Sequence, residues 1–306
     1  MTGVAPSRVT AGVVVVDKPR GPTSHDVVAR VRRALGTREV GHAGTLDPLA
    51  TGVLVIALGE ATKLVPYLTA QDKAYRATVR FGVETSSLDE GGTVTARHAF
   101  DPSILESDAL EDALSIERAR TEQIPPMVSA IKLDGVAAHV RVRRGETIEV
   151  APRAVSVRAL RVTAVRRDPP EIELEVACAK GYYVRALARD LAASLGTLGH
   201  LVALRRLSSG SFTLEGAISG DPIDAGALRA CTLPLLDAAA RALRCVQLTD
   251  DGAIKARHGK RLDDTDFVDP SEFPASGAFA WVHQCRLVAV GERTEAGARV
   301  LRGFGP

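Results

Sequence analysis

Long apolar runs are missing. No segment of this 306-residue chain approaches the roughly 20 apolar residues that a membrane-spanning helix needs. Val13–Val16 is too short for the apolar core of a signal peptide, and no small-residue cleavage site follows it. A cytoplasmic protein is the expectation. Cysteine is scarce and scattered: Cys178, Cys231, Cys245 and Cys285 form no CxxC pair, which excludes the common zinc spacings and a disulfide framework. A Rossmann fingerprint, a Walker loop and metal-ligand spacing are absent too, so nothing here asks for a nucleotide cofactor or a metal. Aromatic residues make up only 4% against 45% hydrophobic, so aliphatic side chains must fill most of the core. Lysine supplies 7 of the 39 basic residues, leaving 39 − 7 = 32 arginines. Arginine grips phosphate in bidentate fashion and stacks on bases. A compositional bias toward alanine and arginine explains the same excess. The net charge of +2 does not by itself point to a nucleic acid.

What is present centres on Gly41–Gly52, GHAGTLDPLATG. Its three glycines allow backbone conformations closed to other residues. Pro48 fixes its own φ and pushes Asp47 out of helical geometry. The apolar, β-branched VLVIAL that follows reads as a buried strand. A carboxylate on a constrained loop against a core strand suits a positioned nucleophile or base. An aspartate that merely closes its own turn fits these residues equally well.

Around this loop, Gly12–Val16 reads as a strand. Ser24 is the expected N-cap of a helix running to Leu35, with Val27, Val28, Val31 and Leu35 on one face and Gly36 past its end. KAYRATVRF, from Lys73, alternates in period two and puts Tyr75, Ala77, Val79 and Phe81 on the core side. Glu84–Glu122 is acidic and is expected to face away from any RNA, with a helix opened by a Ser103–Glu106 capping box. Lys132–Arg167 is basic, and Arg141, Arg143 and Arg144 crowd together as candidate phosphate contacts. Val155–Val165 and Ile172–Ala179 read as strands. A helix from about Tyr183 to Leu195 carries Arg185 and Arg189 on one face and Tyr183, Leu187 and Leu191 on another. Phe279–Val282 and Leu287–Val290 read as a hairpin. Strands and helices interleave without a βαβ rhythm, which predicts an α+β fold: a mixed, mostly antiparallel sheet flanked by helices.

GHAGTLDPLATG resembles the central motif of the TruB family of tRNA pseudouridine synthases. Asp17-Lys18-Pro19 before it, and Lys73-Ala74-Tyr75-Arg76 and Lys180-Gly181-Tyr182-Tyr183-Val184-Arg185 after it, match in the same order. The likeness spans roughly residues 12–210. It implies the pseudouridine synthase fold, with a flexible tail over 1–11, a catalytic domain over 12–243 and an RNA-clamping region at about 122–150. A small C-terminal β-rich domain over 244–306 would resemble the RNA-binding domain called PUA.

The same resemblance implies a reaction on the tRNA T-arm: isomerisation of a uridine in the T-loop, position 55. Substrate and product are isomers, so neither cofactor nor metal is needed, and a monomer is the default expectation. Asp47 would be catalytic, paired with Arg185. Tyr75 would stack on the target base, and His42 would fill the place it leaves. Tyr183, Lys18, Lys132, Arg141, Arg143 and Arg144 would contact RNA, although Lys18-Pro19 reads equally as a turn that supports the loop. The family's tyrosine shortly before those arginines is His139 here. The carboxylate has three possible roles: attack on C1′, addition to C6, or removal of a C2′ proton. Two other readings compete, a non-catalytic RNA-binding protein and an aspartyl-phosphate enzyme.

Overall fold

A computed structural model describes residues 10–127, 150–274 and 276–305, and 132–133 and 136–137 as backbone. By contact the described residues fall into two compact units. One gathers those of Met1–Leu46, Val53–Gln71 and Ser209–Pro306; the other holds those of Asp47–Gly52 and Asp72–Ser208.

In the second unit three strands form the antiparallel run that the sequence pattern predicts. Val157–Arg166 pairs with Glu171–Cys178, which pairs with Lys73–Phe81. Gly199–Ser209 lies beside Lys73–Phe81, and its Arg205 and Arg206 pair in parallel with Thr51 and Gly52. Ile172, Leu174 and Val176 are buried on one face, as their alternation requires. The other face carries an arginine–glutamate ladder. Glu171 accepts from Arg80 on one side (2.6 Å) and Arg166 on the other (2.7 Å); Glu175 accepts likewise from Arg76 (2.8 Å) and Arg161 (2.6 Å). Part of the arginine excess is therefore spent on cross-strand pairing. Glu171 is buried between its two guanidiniums, where the pairing offsets its desolvation. The pairs at Glu175 are exposed and contribute little each.

Helix Val184–Ser194 lies in this unit, as does helix Asp108–Arg118. The latter begins after Ser107 rather than at Ser103. Pro102 opens a separate 3-10 turn, Pro102–Glu106, whose first N–H groups are served by Asp101.

The first unit holds the strands Gly12–Lys18 and Val40–Ala43 and the body of Thr51–Leu58. Helix Ser24–Leu35 buries Val27, Val28, Val31 and Leu35, and Gly36 ends it in the left-handed region. Its N-cap is Thr23, not Ser24. Thr23 and Asp26 form a reciprocal capping box. This frees the Ser24 hydroxyl, which accepts from Leu46 N (2.9 Å) and donates to Leu46 O (3.2 Å).

At the C-terminal end, Cys245–Gln247, Ala278–His283, Arg286–Thr294 and Gly297–Gly303 form a four-stranded sheet. Ala280, Leu287 and Val290 share one core with Val13, Val55, Leu64 and Phe212. A second core gathers Phe267, Phe273, Phe279 and Trp281, with Phe267 edge-on to Trp281 at 5.5 Å. The few aromatics are thus concentrated where a small sheet needs large side chains to fill its own interior.

Trp281 is fully buried, and a Cβ on Gly291 would stand 2.1 Å from its ring. Gly291→Ala is therefore expected to destabilise the protein by about 1–3 kcal/mol through overpacking. Chemical denaturation followed by tryptophan fluorescence checks this; an unchanged midpoint would contradict the close packing.

Candidate active site

Asp47 stands on an irregular loop between the strands Val40–Ala43 and Thr51–Leu58. Within the loop, Ala50 N–H donates to Asp47 O (3.0 Å), closing a turn around Pro48. The loop's exit is held by Gly52. Its φ is +97°, and an added Cβ would stand 2.2 Å from Arg206 O. Only glycine meets both demands at that position. One residue before Asp47, Leu46 is gripped at both its N–H and its C=O by Ser24.

Arg185, at the second position of helix Val184–Ser194, meets Asp47 directly. Its Nε lies 2.9 Å from Oδ2 and its Nη2 donates to Oδ1 at 3.3 Å. The Nε contact is an ion pair whose N–H does not align as a hydrogen bond. Nη1 donates to Ser87 O (2.9 Å) and lies 3.8 Å from Asp89 Oδ2. Asp89 is itself buried, and its Oδ1 accepts from the Ser87 hydroxyl (2.6 Å) and Gly91 N (3.0 Å). The arginine side chain is 7% exposed and the Asp47 side chain 36%. The guanidinium is therefore the buried, anchored partner, while the carboxylate keeps one side open. A carboxylate so held is fixed in place yet reachable.

Tyr75, third residue of the strand Lys73–Phe81, is buried on the side its alternation predicts. Burial pushes its hydroxyl pKa up, and the Asp47 charge adds to the rise; the charge of Arg206 and a hydrogen bond with it act the other way. Tyr75 thus remains a neutral phenol. Tyr183 is the N-cap of the Arg185 helix and is half-buried. Burial raises its pKa as well, and Arg153, Arg185 and Asp47 all act on it electrostatically. Asp47, Arg185, Tyr75 and Tyr183 therefore come together, with Asp89 and Arg206 behind them.

Residues 32–184 match the TruB family pseudouridylate synthase (N terminal domain). The chain belongs to the TruB family. The tRNA pseudouridine synthase B of Cutibacterium acnes is 45% identical over 267 residues, which span 87% of this chain and 88% of that protein. That of Mycobacteroides abscessus is 47% identical over 239 residues, spanning 76% and 77%. A chain in the crystal structure of a Cbf5-Nop10-Gar1 complex shares the fold, with a TM-score of 0.73 at 25% identity over 98% of this chain and 86% of its own.

Two members of the motif set in this TruB chain lie in the other unit. His42, on the strand Val40–Ala43, is half-buried and meets His25 edge-on at 5.1 Å. Lys18 is fully buried and its Nζ donates to Pro19 O (3.0 Å). That bond sets the Lys18 ammonium against its own turn, in line with the supporting role that the sequence offers beside an RNA contact. Arg141, Arg143, Arg144 and His139 lie outside the described residues, and of Lys132 only the backbone is described, paired with Ala137.

Asp89 and Arg206 are site residues that the sequence reading missed. Asp89 hides in an acidic stretch that reads as facing away from RNA, and Arg206 sits in LVALRRL, which reads as an ordinary strand. Nothing local marks either residue, because burial of a charge depends on partners far along the chain.

The exposure difference bears on stability. Arg185→Met leaves Asp47 in contact with water, so the 3–5 kcal/mol typical of a stranded buried charge is not expected. The loss is expected at about 1–3 kcal/mol, from Ser87 O left without its donor and Asp89 left without the neighbouring cation. Urea denaturation of the variant checks this, and full wild-type stability would contradict it. Lys73 supplies a pH test. Burial and the nearby Arg206 charge lower its pKa from 10.5 to about 8. Between those values the unfolded chain binds more protons than the folded one, so this group makes stability rise with pH from about 8 to 10.5. Denaturation midpoints for Lys73→Met should show a smaller rise across that window than wild type; identical slopes would contradict the assignment.

Proposed function

We propose that this chain isomerises uridine to pseudouridine in tRNA, at the T-loop uridine of position 55, with Asp47 as the catalytic carboxylate. The observation that carries the reading is the Asp47–Arg185 pair: a one-third exposed carboxylate, on a loop inside the stretch that matches the family, held by a buried guanidinium. In the reaction the bond from uracil N1 to C1′ breaks, the base turns, and C5 joins C1′. The C5 proton is lost and N1 gains one, so substrate and product are isomers. Attack on C1′, addition to C6 and removal of the C2′ proton each need a fixed anion at the nucleoside.

The other roles follow from the same reading. Tyr75, neutral and rigid, stacks on the everted base; such a contact is worth about 1–3 kcal/mol. Extracting the base from its stack costs a few kcal/mol. His42 takes its place in the T-loop, and Tyr183 lies against the substrate. Lys132, Arg141, Arg143 and Arg144 grip the T-arm, and 244–306 serves as a PUA-like RNA-binding domain beside a catalytic domain over 12–243. The protein acts as a cytoplasmic monomer.

Incubating the chain with an unmodified tRNA transcript, without added metal or cofactor, is expected to yield one pseudouridine, at position 55. Asp47→Asn should abolish conversion while leaving transcript affinity within a few-fold, because Arg185 keeps Ser87 O and Asp89 as partners. Conversion by the Asn variant, or none by wild type, would overturn the assignment.

A further inference from the structure

The residue that presets the Arg185 helix is not among the motif residues. Gln123 sits in the two-residue strand Glu122–Gln123 and is 2% exposed. Its side-chain amide embraces the backbone of Tyr183: Oε1 accepts from Tyr183 N (2.8 Å) and Nε2 donates to Tyr183 O (3.1 Å). Reversing the amide would put donor against donor and acceptor against acceptor, so these two bonds fix its orientation. The pair copies a strand–strand contact using one side chain.

Its location gives it leverage. Tyr183 caps the helix without any side-chain cap bond of its own, and Tyr183 O also accepts the first helical bond, from Leu187 N (3.1 Å). Two residues later the helix presents Arg185 to Asp47. A rotation at Tyr183 would move the phenol and the guanidinium together. The segment that bears Gln123 is also fastened: Gln123 pairs with Arg153 across a short antiparallel ladder, and Arg189 Nη2 donates to Ile124 O (3.0 Å). The amide is thus a fixed strut and not a mobile side chain.

We infer that Gln123 is a positioning residue for catalysis, holding Tyr183 and the start of the Arg185 helix so that the guanidinium meets the Asp47 carboxylate in its working geometry. The inference rests on the synthase reading. A displacement of about 1 Å at a reacting group can lower a rate by about 100-fold. An amide that only stabilised the fold would lower the folded fraction and leave the rate per folded molecule alone.

The test measures single-turnover conversion of unmodified tRNA transcript, its Kd, and the folded fraction, for wild type, Gln123→Met, Arg185→Lys and the double variant. Gln123→Met removes both hydrogen bonds at similar volume. It is expected to slow conversion per folded molecule about 10- to 100-fold with Kd unchanged. In the Arg185→Lys background the same change should slow conversion less than about 2-fold, since residues acting through one another are not additive. If Gln123→Met folds poorly, Gln123→Glu keeps the acceptor for Tyr183 N but sets a carboxylate oxygen against Tyr183 O, and the same comparison is made with it per folded molecule. A wild-type rate per folded molecule, a loss confined to Kd, or the same fold-loss in both backgrounds would overturn the inference. An inactive wild type would instead overturn the synthase reading, and this inference with it.

Discussion

Arg185 is a cation almost without water, and the region around it is arranged to make that tolerable. Its guanidinium is shared among a loop carbonyl at Ser87, a buried carboxylate at Asp89 and the catalytic candidate Asp47. Taking a guanidinium out of water is unfavourable unless its donors are met. Ser87 O and Asp89 supply fixed partners from within the protein, and Asp47 supplies one that also faces outward. The asymmetry matters for chemistry. The anion is held by a group that cannot move, while its own open side is left for a substrate.

The loop that carries Asp47 is constrained from several directions by unrelated means. Gly52 is required by a backbone approach, since no Cβ fits beside Arg206 O. Ser24 grips the residue before Asp47, a role open to it because Thr23 caps the helix in its stead. On the other side of the ion pair, Gln123 and the helical bond from Leu187 meet at the carbonyl of Tyr183. Rigid support at both ends of one charge pair is what a reaction that depends on placing an anion asks of its scaffold.

Much of this was legible beforehand, and for an identifiable reason. The Lys73–Phe81 strand, the Glu171–Cys178 alternation and the helices starting at Ser24 and Val184 announce themselves through period and capping residues, which are local properties. Asp47, Tyr75 and Arg185 were visible because they stand in short contiguous motifs. The charged residues whose burial was not legible share the opposite character. Lys18, read as an RNA contact or as part of a supporting turn, is fully buried and donates to Pro19 O. Asp89 belongs to an acidic stretch expected to face away from RNA and lies 3.8 Å from the Arg185 guanidinium. Arg206 drew no attention in its strand and is fully buried near Tyr75. In each case burial of the charge is set by distant parts of the chain that no local pattern announces.

The amino-acid order alone therefore settled the main periodic strands and helices, which constrained loop carries the candidate carboxylate, and to which family the chain belongs. These follow from spacing, backbone preference and contiguous motifs. The tertiary structure alone decided which charges are buried, which arginines pair across strands instead of facing a ligand, and that Arg185, not Asp47, is the submerged member of the pair. Those outcomes depend on residues about 90 to 140 positions apart meeting in space, and the price of burying a charge is set by the partners found there.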